Sequence, residues 1–223
     1  MPKAFSDEEK AHIHANLLVQ GRRLFGLHGL RKTNVEDLTR AVGISKGAFY
    51  LFYASKEALF FDILERFEAE YQAQMLAGLT QKAIPARDRL ANVLRQAATL
   101  WRSHPLFAQF GSDDMAYLTR KLSPAQIEAN QNSDVAFAAQ FITTARAAGL
   151  PISADAQLLT GLLRALVLLN LHEDEIGTAM FDAVMAVLAE QIAAYLLKET
   201  TPCLLLRMSV LRIRVRLTRR CRR

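Results

Sequence analysis

With 223 residues, 51% of them hydrophobic, and only 10 Gly and 6 Pro, the chain can bury a large core and lacks the turn punctuation of a β protein. Cys203 and Cys221 both lie in the C-terminal tail, which excludes a disulfide framework or a paired-cysteine zinc site in the body, and the polar opening MPKAFSDEEK is that of a cytoplasmic chain, not a secretory leader. The net charge of +6 is uneven: residues 1–60 hold nine Lys/Arg against six Asp/Glu, residues 61–200 eleven against sixteen, and residues 201–223 eight Arg and no acid, so the acidic body argues against nucleic acid along the whole surface.

Ser6 and Glu9 form a capping box, opening a helix that carries Ile13, Leu17, Leu18, Leu24 and Phe25 at helical spacing and breaks at Leu27-His28-Gly29. His12 and His14 are two apart and point to different faces, which argues against a metal site and for surface positions. The next stretch, TNVEDLTRAVGISKGAFYLFYASKEAL, is the densest in signals. Thr33 with Glu36 reads as a second capping box, and a short helix follows to Val42. Gly43 suits a left-handed helix stop, Ile44 can plug back into the core, and Ser45 can cap a second helix over Lys46 to about Phe52. This is a helix-turn-helix pattern, whose second helix enters the major groove with its N-terminal residues forward. Lys46 sits at that leading end. Gly47 and Ala48 leave little bulk there, Phe49 points inward, and Tyr50 can offer its hydroxyl to a phosphate. Ser55-Lys56-Glu57 then begins another helix, where free amides and a lysine make a second phosphate clamp. Any one of these aromatics or lysines taken alone is an ordinary core or solvated side chain; their joint spacing is what carries the reading.

The stretch resembles the DNA-binding domain of TetR-family transcriptional regulators, with Leu38-Thr39 at the usual Ile-Ala pair, Ala41-Val42-Gly43-Ile44-Ser45 at the turn, Tyr50, and Ser55-Lys56-Glu57-Ala58-Leu59. Phe52 stands where the family often has His or Tyr, and Tyr53 where it has Phe. By motif the resemblance covers residues 8–65. It implies an all-α chain: a three-helix head over residues 1–54, then a helical effector-binding and dimerisation domain over 55–199. The DNA-contacting residues expected are Thr33, Ser45, Lys46, Gly47, Ala48, Tyr50 and Lys56.

From Ser55 a long helix is expected to about Leu79, joining head to body, then another over 86–102, an interruption at Ser103-His104-Pro105, a short helix at 106–111 and an irregular segment over 112–122. Ser123-Pro124-Ala125-Gln126 combines an N-cap, a proline at the first helical position and a Gln at the third, starting a helix that stops at Gly149-Leu150-Pro151. The segments 154–171 and 177–197 are apolar nearly all round. The first is too short for a membrane span and is interrupted by Asp155, Gln157, Arg164 and Asn170. Each can fill its own core with one face and meet a second copy with the other, so Leu158, Leu162, Leu166, Leu169, Val184, Leu188 and Ile192 are the expected homodimer interface. His172-Glu173-Asp174-Glu175 between them reads as an acidic loop, not a metal cluster.

Most body aromatics are core. A cavity among Trp101, Phe107, Phe110, Met115, Tyr117, Phe137 and Phe141 is nevertheless where a small apolar effector would bind, as the resemblance implies. There is no phosphate-cradling glycine loop, nucleophile elbow or His-Glu-x-x-His pairing, so no cofactor, metal or catalytic residue is expected. The expected function is a cytoplasmic homodimeric regulator, a repressor that reads a palindromic operator in double-stranded DNA and is released by a small molecule. Two alternatives remain. One is a membrane-surface or nonspecific nucleic-acid protein acting through the Arg-rich residues 200–223, otherwise an appended tail; the other is a small helical enzyme using the 101–141 cavity.

Overall fold

The computed structural model describes residues 5–107 and 109–198; expectations for the Arg-rich tail lie outside the described residues, as does the side chain of Trp101. The described residues form ten α-helices and no strand: α1 (Asp7–Lys32), α2 (Val35–Val42), α3 (Lys46–Phe49), α4 (Lys56–Leu79), α5 (Ala86–Ser103), α6 (Ser112–Lys121), α7 (Pro124–Ala147), α8 (Ala156–Asn170), α9 (Glu173–Ile176) and α10 (Thr178–Leu196).

Most helix starts follow their caps. Ser6 accepts from the Glu9 amide and Glu9 answers at Ser6 N, and Ser123 and Gln126 do the same at α7. The box at α2 is one residue later than expected. Asn34 and Asp37 make it, at 2.8 and 3.3 Å, while Thr33 turns its hydroxyl back onto the carbonyls of Leu24 and Gly29 and closes α1. Gly29 has φ 79° and ψ 163°, so α1 is interrupted there, where the sequence places its break.

Two expectations fail in the middle of the chain. Residues 112–122 are not irregular but hold α6, and the helix expected at 106–111 is a single 3-10 turn over Pro105–Phe107. The start of α6 has no side-chain N-cap, since Gly111 occupies that position; Asp114 instead reaches back to the Gly111 amide at 3.3 Å. A search for Ser or Thr caps passes over such a start. The acidic run after α8 is likewise a short helix, α9, with Glu173 bound to Arg102 at 3.1 Å.

The core falls into two clusters joined by α4. Around the head, Leu17, Leu24, Phe25 and Leu30 of α1 close on Leu38, Phe49, Leu59, Phe60 and Ile63, and Leu106, Phe107, Phe110 and Leu118 belong to the same cluster. Around the body, Met75 and Leu79 at the far end of α4 pack with Leu90, Leu94, Phe137, Phe141, Leu159, Leu166, Phe181 and Met185. Helix α1 approaches the 105–107 turn so closely that a Cβ on Gly26 would lie 2.7 Å from the Pro105 carbonyl oxygen. The head is therefore built partly from residues far beyond position 54.

Candidate nucleic-acid interface and effector cavity

The turn of the helix-turn-helix is made by Gly43, at φ 78° and ψ 30°, with the amides of Gly43 and Ile44 both donating to the Thr39 carbonyl at 2.9 and 3.1 Å. A residue with a Cβ is strained in that region, which is why glycine stands there. Ser45 then caps α3 by accepting from the Ala48 amide at 3.1 Å. Only Lys46–Phe49 is regular helix; from Leu51 the amides donate three residues back, to Ala48 and Phe49, so the expected helix to Phe52 ends in tight turns. Phe49 is wholly buried and anchors the element.

The expected DNA contacts divide three ways. Ser45, Lys46 and Gly47 lie on the outside, with Tyr50 at 50% exposure beside them. Ala48 is on the inner side, 8% exposed, so its small size serves packing against the head. Thr33 and Lys56 are corrections. Thr33 has no exposed surface at all. Lys56 directs its ammonium at the end of α1, donating to the carbonyls of Leu30, Arg31 and Thr33 at 2.8, 2.9 and 2.7 Å. All three of its N–H bonds are thereby used, and burial holds its pKa below the ordinary lysine value. It is a clasp within the head. Lys46 is paired too, at 2.5 Å from Glu36 Oε1, but both side chains are more than half exposed, so a phosphate can replace the carboxylate. That bond raises the Lys46 pKa and lowers that of Glu36.

One outward residue escaped the sequence reading. Leu51 is 74% exposed in the turn just past the C-terminal end of α3, and an apolar side chain there can meet a thymine methyl if the groove reaches it. The histidine reading also changes: His14 stacks on Tyr53 at 5.6 Å, and the Tyr53 hydroxyl lies 2.8 Å from His14 Nε2 while donating to Asp62 at 2.6 Å. This ties α1 to the start of α4.

Helix α6, though late in the chain, is fastened to the head. The Tyr117 hydroxyl donates to Glu57 at 2.6 Å, and Arg31 bonds Asp114 at 3.2 Å and the Asp113 carbonyl at 2.8 Å. Tyr117 is thus part of that fastening.

The expected effector residues do not share one cavity. Phe107 and Phe110 are core aromatics of the head cluster, Phe110 stacked on Phe60 at 5.3 Å, and Phe141 is wholly buried in the body. Met115 and Phe137 do meet, in a cavity of about 240 Å³ between α4, α6, α7 and α8. Tyr71, Met75, Leu163 and Val167 supply its apolar wall, and Glu68, Asn130, Asp134 and Arg164 its polar side. A roomier opening of about 390 Å³ between α5 and α10 is lined by Arg95, Arg102 and Asp182, with Arg102 already bound to Asp182 and Glu173.

Of the expected dimer residues, Leu158 is exposed, Leu162, Leu169, Val184, Leu188 and Ile192 are half-buried, and Leu166 is buried in its own chain. The exposed apolar side chains on α8 and α10 are Leu158, Leu168, Met180, Val187 and Tyr195. By length and composition α10 could cross a membrane, yet its Phe181, Met185, Ala189 and Ala193 row is buried in the body core.

Residues 17–63 match the model of the bacterial regulatory proteins of the tetR family. An HTH-type transcriptional repressor of Mycobacterium tuberculosis is 32% identical over 125 residues, covering 53% of this chain and 66% of that one. The HTH-type transcriptional repressor DhaR of a Mycobacterium species (strain GP1) is 30% identical over 80 residues, covering 36% and 40%. The chain thus spans less than two thirds of the length of either relative. A crystal structure of a TetR-family transcriptional regulator from Pectobacterium atrosepticum superposes with a TM-score of 0.66 at 22% identity, over 86% of this chain and 97% of that one. The matched model takes in α2, α3 and the turn between them, the capped and Gly43-hinged unit described above, and the whole-chain superposition shows a shared fold: residues 17–63 are similar to the helix-turn-helix of the bacterial regulatory proteins of the tetR family, in a chain with the fold of a TetR-family regulator.

Proposed function

We propose that the protein is a cytoplasmic, homodimeric DNA-binding transcriptional regulator, a repressor that leaves a palindromic operator when a small molecule occupies the body. The observation that carries this is the outward face of α3. Lys46 and Gly47 project from the N-terminus of a short helix anchored by buried Phe49 and preceded by the Gly43 turn, as major-groove entry requires, and Tyr50 and Leu51 stand exposed in the turn just after it. Both relatives are named repressors, which supports the sign of regulation. The exposed apolar side chains of α8 and α10 support a dimer, since a two-fold pairing would cover them and set two heads about 34–36 Å apart. The cavity holding Met115 and Phe137, adjoining the α6 junction to Glu57, supports effector binding.

Selecting sites from random duplex DNA with the purified protein tests the reading. A palindromic site with half-sites about one helical turn apart is expected, and Lys46→Ala should weaken binding and flatten the salt dependence by about one unit for each phosphate no longer neutralised. Recovery of no preferred sequence, with binding unchanged in Lys46→Ala and Tyr50→Ala, would overturn it.

A further inference from the structure

The cavity between α4, α6, α7 and α8 combines an apolar wall with a carboxylate that the fold leaves short of partners. Glu68 enters from α4 and has one hydrogen bond, accepted from Asn130 Nδ2 at 3.4 Å, near the limit for such a contact. Asp134 faces it from α7 and Glu65 lies on the same helix, both adding negative charge near it. The one cation in the lining, Arg164 of α8, is bound to Asp134 at 2.6 Å. Tyr71 presents an aromatic ring from the next turn of α4, its own hydroxyl held protonated by burial and by Glu68, and Phe137 adds a second ring from α7. A half-buried carboxylate in such surroundings has lost part of its water without gaining a cation of its own.

Resting on the effector reading above, we infer that this cavity takes a small amphiphilic cation, an ammonium group against Glu68 with an apolar body among Met75, Met115, Phe137 and Val167. The ammonium supplies the counter-charge missing at Glu68, and the rings of Tyr71 and Phe137 favour a cation over a neutral group of the same shape. At about 240 Å³ the cavity suits a ligand of one ring with a compact head, below the usual range for larger ligands. Burial and the neighbouring acids push the Glu68 carboxyl up to about 7, so the cation would displace a proton there.

The test uses benzyltrimethylammonium and its uncharged isostere neopentylbenzene, with phenylacetate as the anion, on the full chain carrying methyl-labelled methionine. Met75 and Met115 line the cavity, so their NMR signals report occupancy without reference to DNA. The cation should bind about tenfold or more tighter than the isostere, its affinity rising between pH 6 and 8, and Glu68→Gln should remove that advantage while leaving neopentylbenzene within about twofold. Equal affinity for cation and isostere, or a cation affinity indifferent to Glu68→Gln, overturns the inference. Preferential binding of phenylacetate would leave an effector cavity and refute its charge preference. If no probe moves either methionine at millimolar concentration, the cavity reading falls as well, while operator selection still stands or falls separately.

Discussion

Replacing Lys56 with alanine separates two physical roles that the sequence cannot tell apart. The ammonium donates three hydrogen bonds of 2.7 to 2.9 Å to carbonyls at the end of α1, and two of those bonds are partly buried. A charged hydrogen bond contributes about 1.5–3 kcal/mol when its partner is otherwise stranded. Here water can reach the Arg31 carbonyl, and deletion also releases the desolvation that depresses the Lys56 pKa. The net destabilisation should therefore be about 1–2 kcal/mol, not the sum of three bonds. For a chain of this size each kcal/mol lowers the melting temperature by about 2–4 °C. Calorimetry on Lys56→Ala should show that drop, while DNA titrations from about 50 to 200 mM salt should keep the parental slope, because Lys56 neutralises no phosphate. An unchanged melting temperature with a slope flatter by about 0.9 would refute the clasp and restore Lys56 to the DNA interface.

Three further outcomes follow from the same geometry. Val187→Glu on α10, at a position 57% exposed, should give a monomer by light scattering with weakened operator binding; a variant that stays dimeric places the interface elsewhere. Because the folded-state pKa of Glu68 is raised to about 7 from an ordinary 4.5, the folded chain holds the extra proton between those values, so this group's contribution to stability is full below about 4.5 and is lost as pH rises through 7; denaturant titrations of Glu68→Gln should lack that slope, and an identical pH profile would contradict it. Gly43→Ala should destabilise the head by about 1 kcal/mol from backbone strain alone, since a Cβ there meets no atom within 4 Å; a stabilised variant in thermal unfolding would show that the turn has another conformation.

What the sequence determined by itself is whatever depends on neighbours a few residues apart. The boxes Ser6/Glu9 and Ser123/Gln126, the Gly43 stop, the Ser45 cap and the lengths of α4, α5, α7, α8 and α10 are local matters of backbone hydrogen bonding and apolar period, and they stand where the residues place them. Tertiary structure decided everything that turns on which distant atom a side chain reaches. Thr33 satisfies every local rule for a cap, yet it is wholly buried where α1 ends, and its hydroxyl is held by the Gly29 carbonyl at 2.9 Å and the Leu24 carbonyl, nine residues back, at 3.2 Å. Lys56 heads a helix like a phosphate ligand, but the α1 carbonyls 23 to 26 residues away take all its donors. Phe110 and Phe137 have the same aromatic character in the chain and sit in different cores, because α4 carries one cluster at each end. Leu166 and Leu168 are two residues apart on one apolar helix. Only the packing of α8 against α5 and α7 buries the first and leaves the second facing outward.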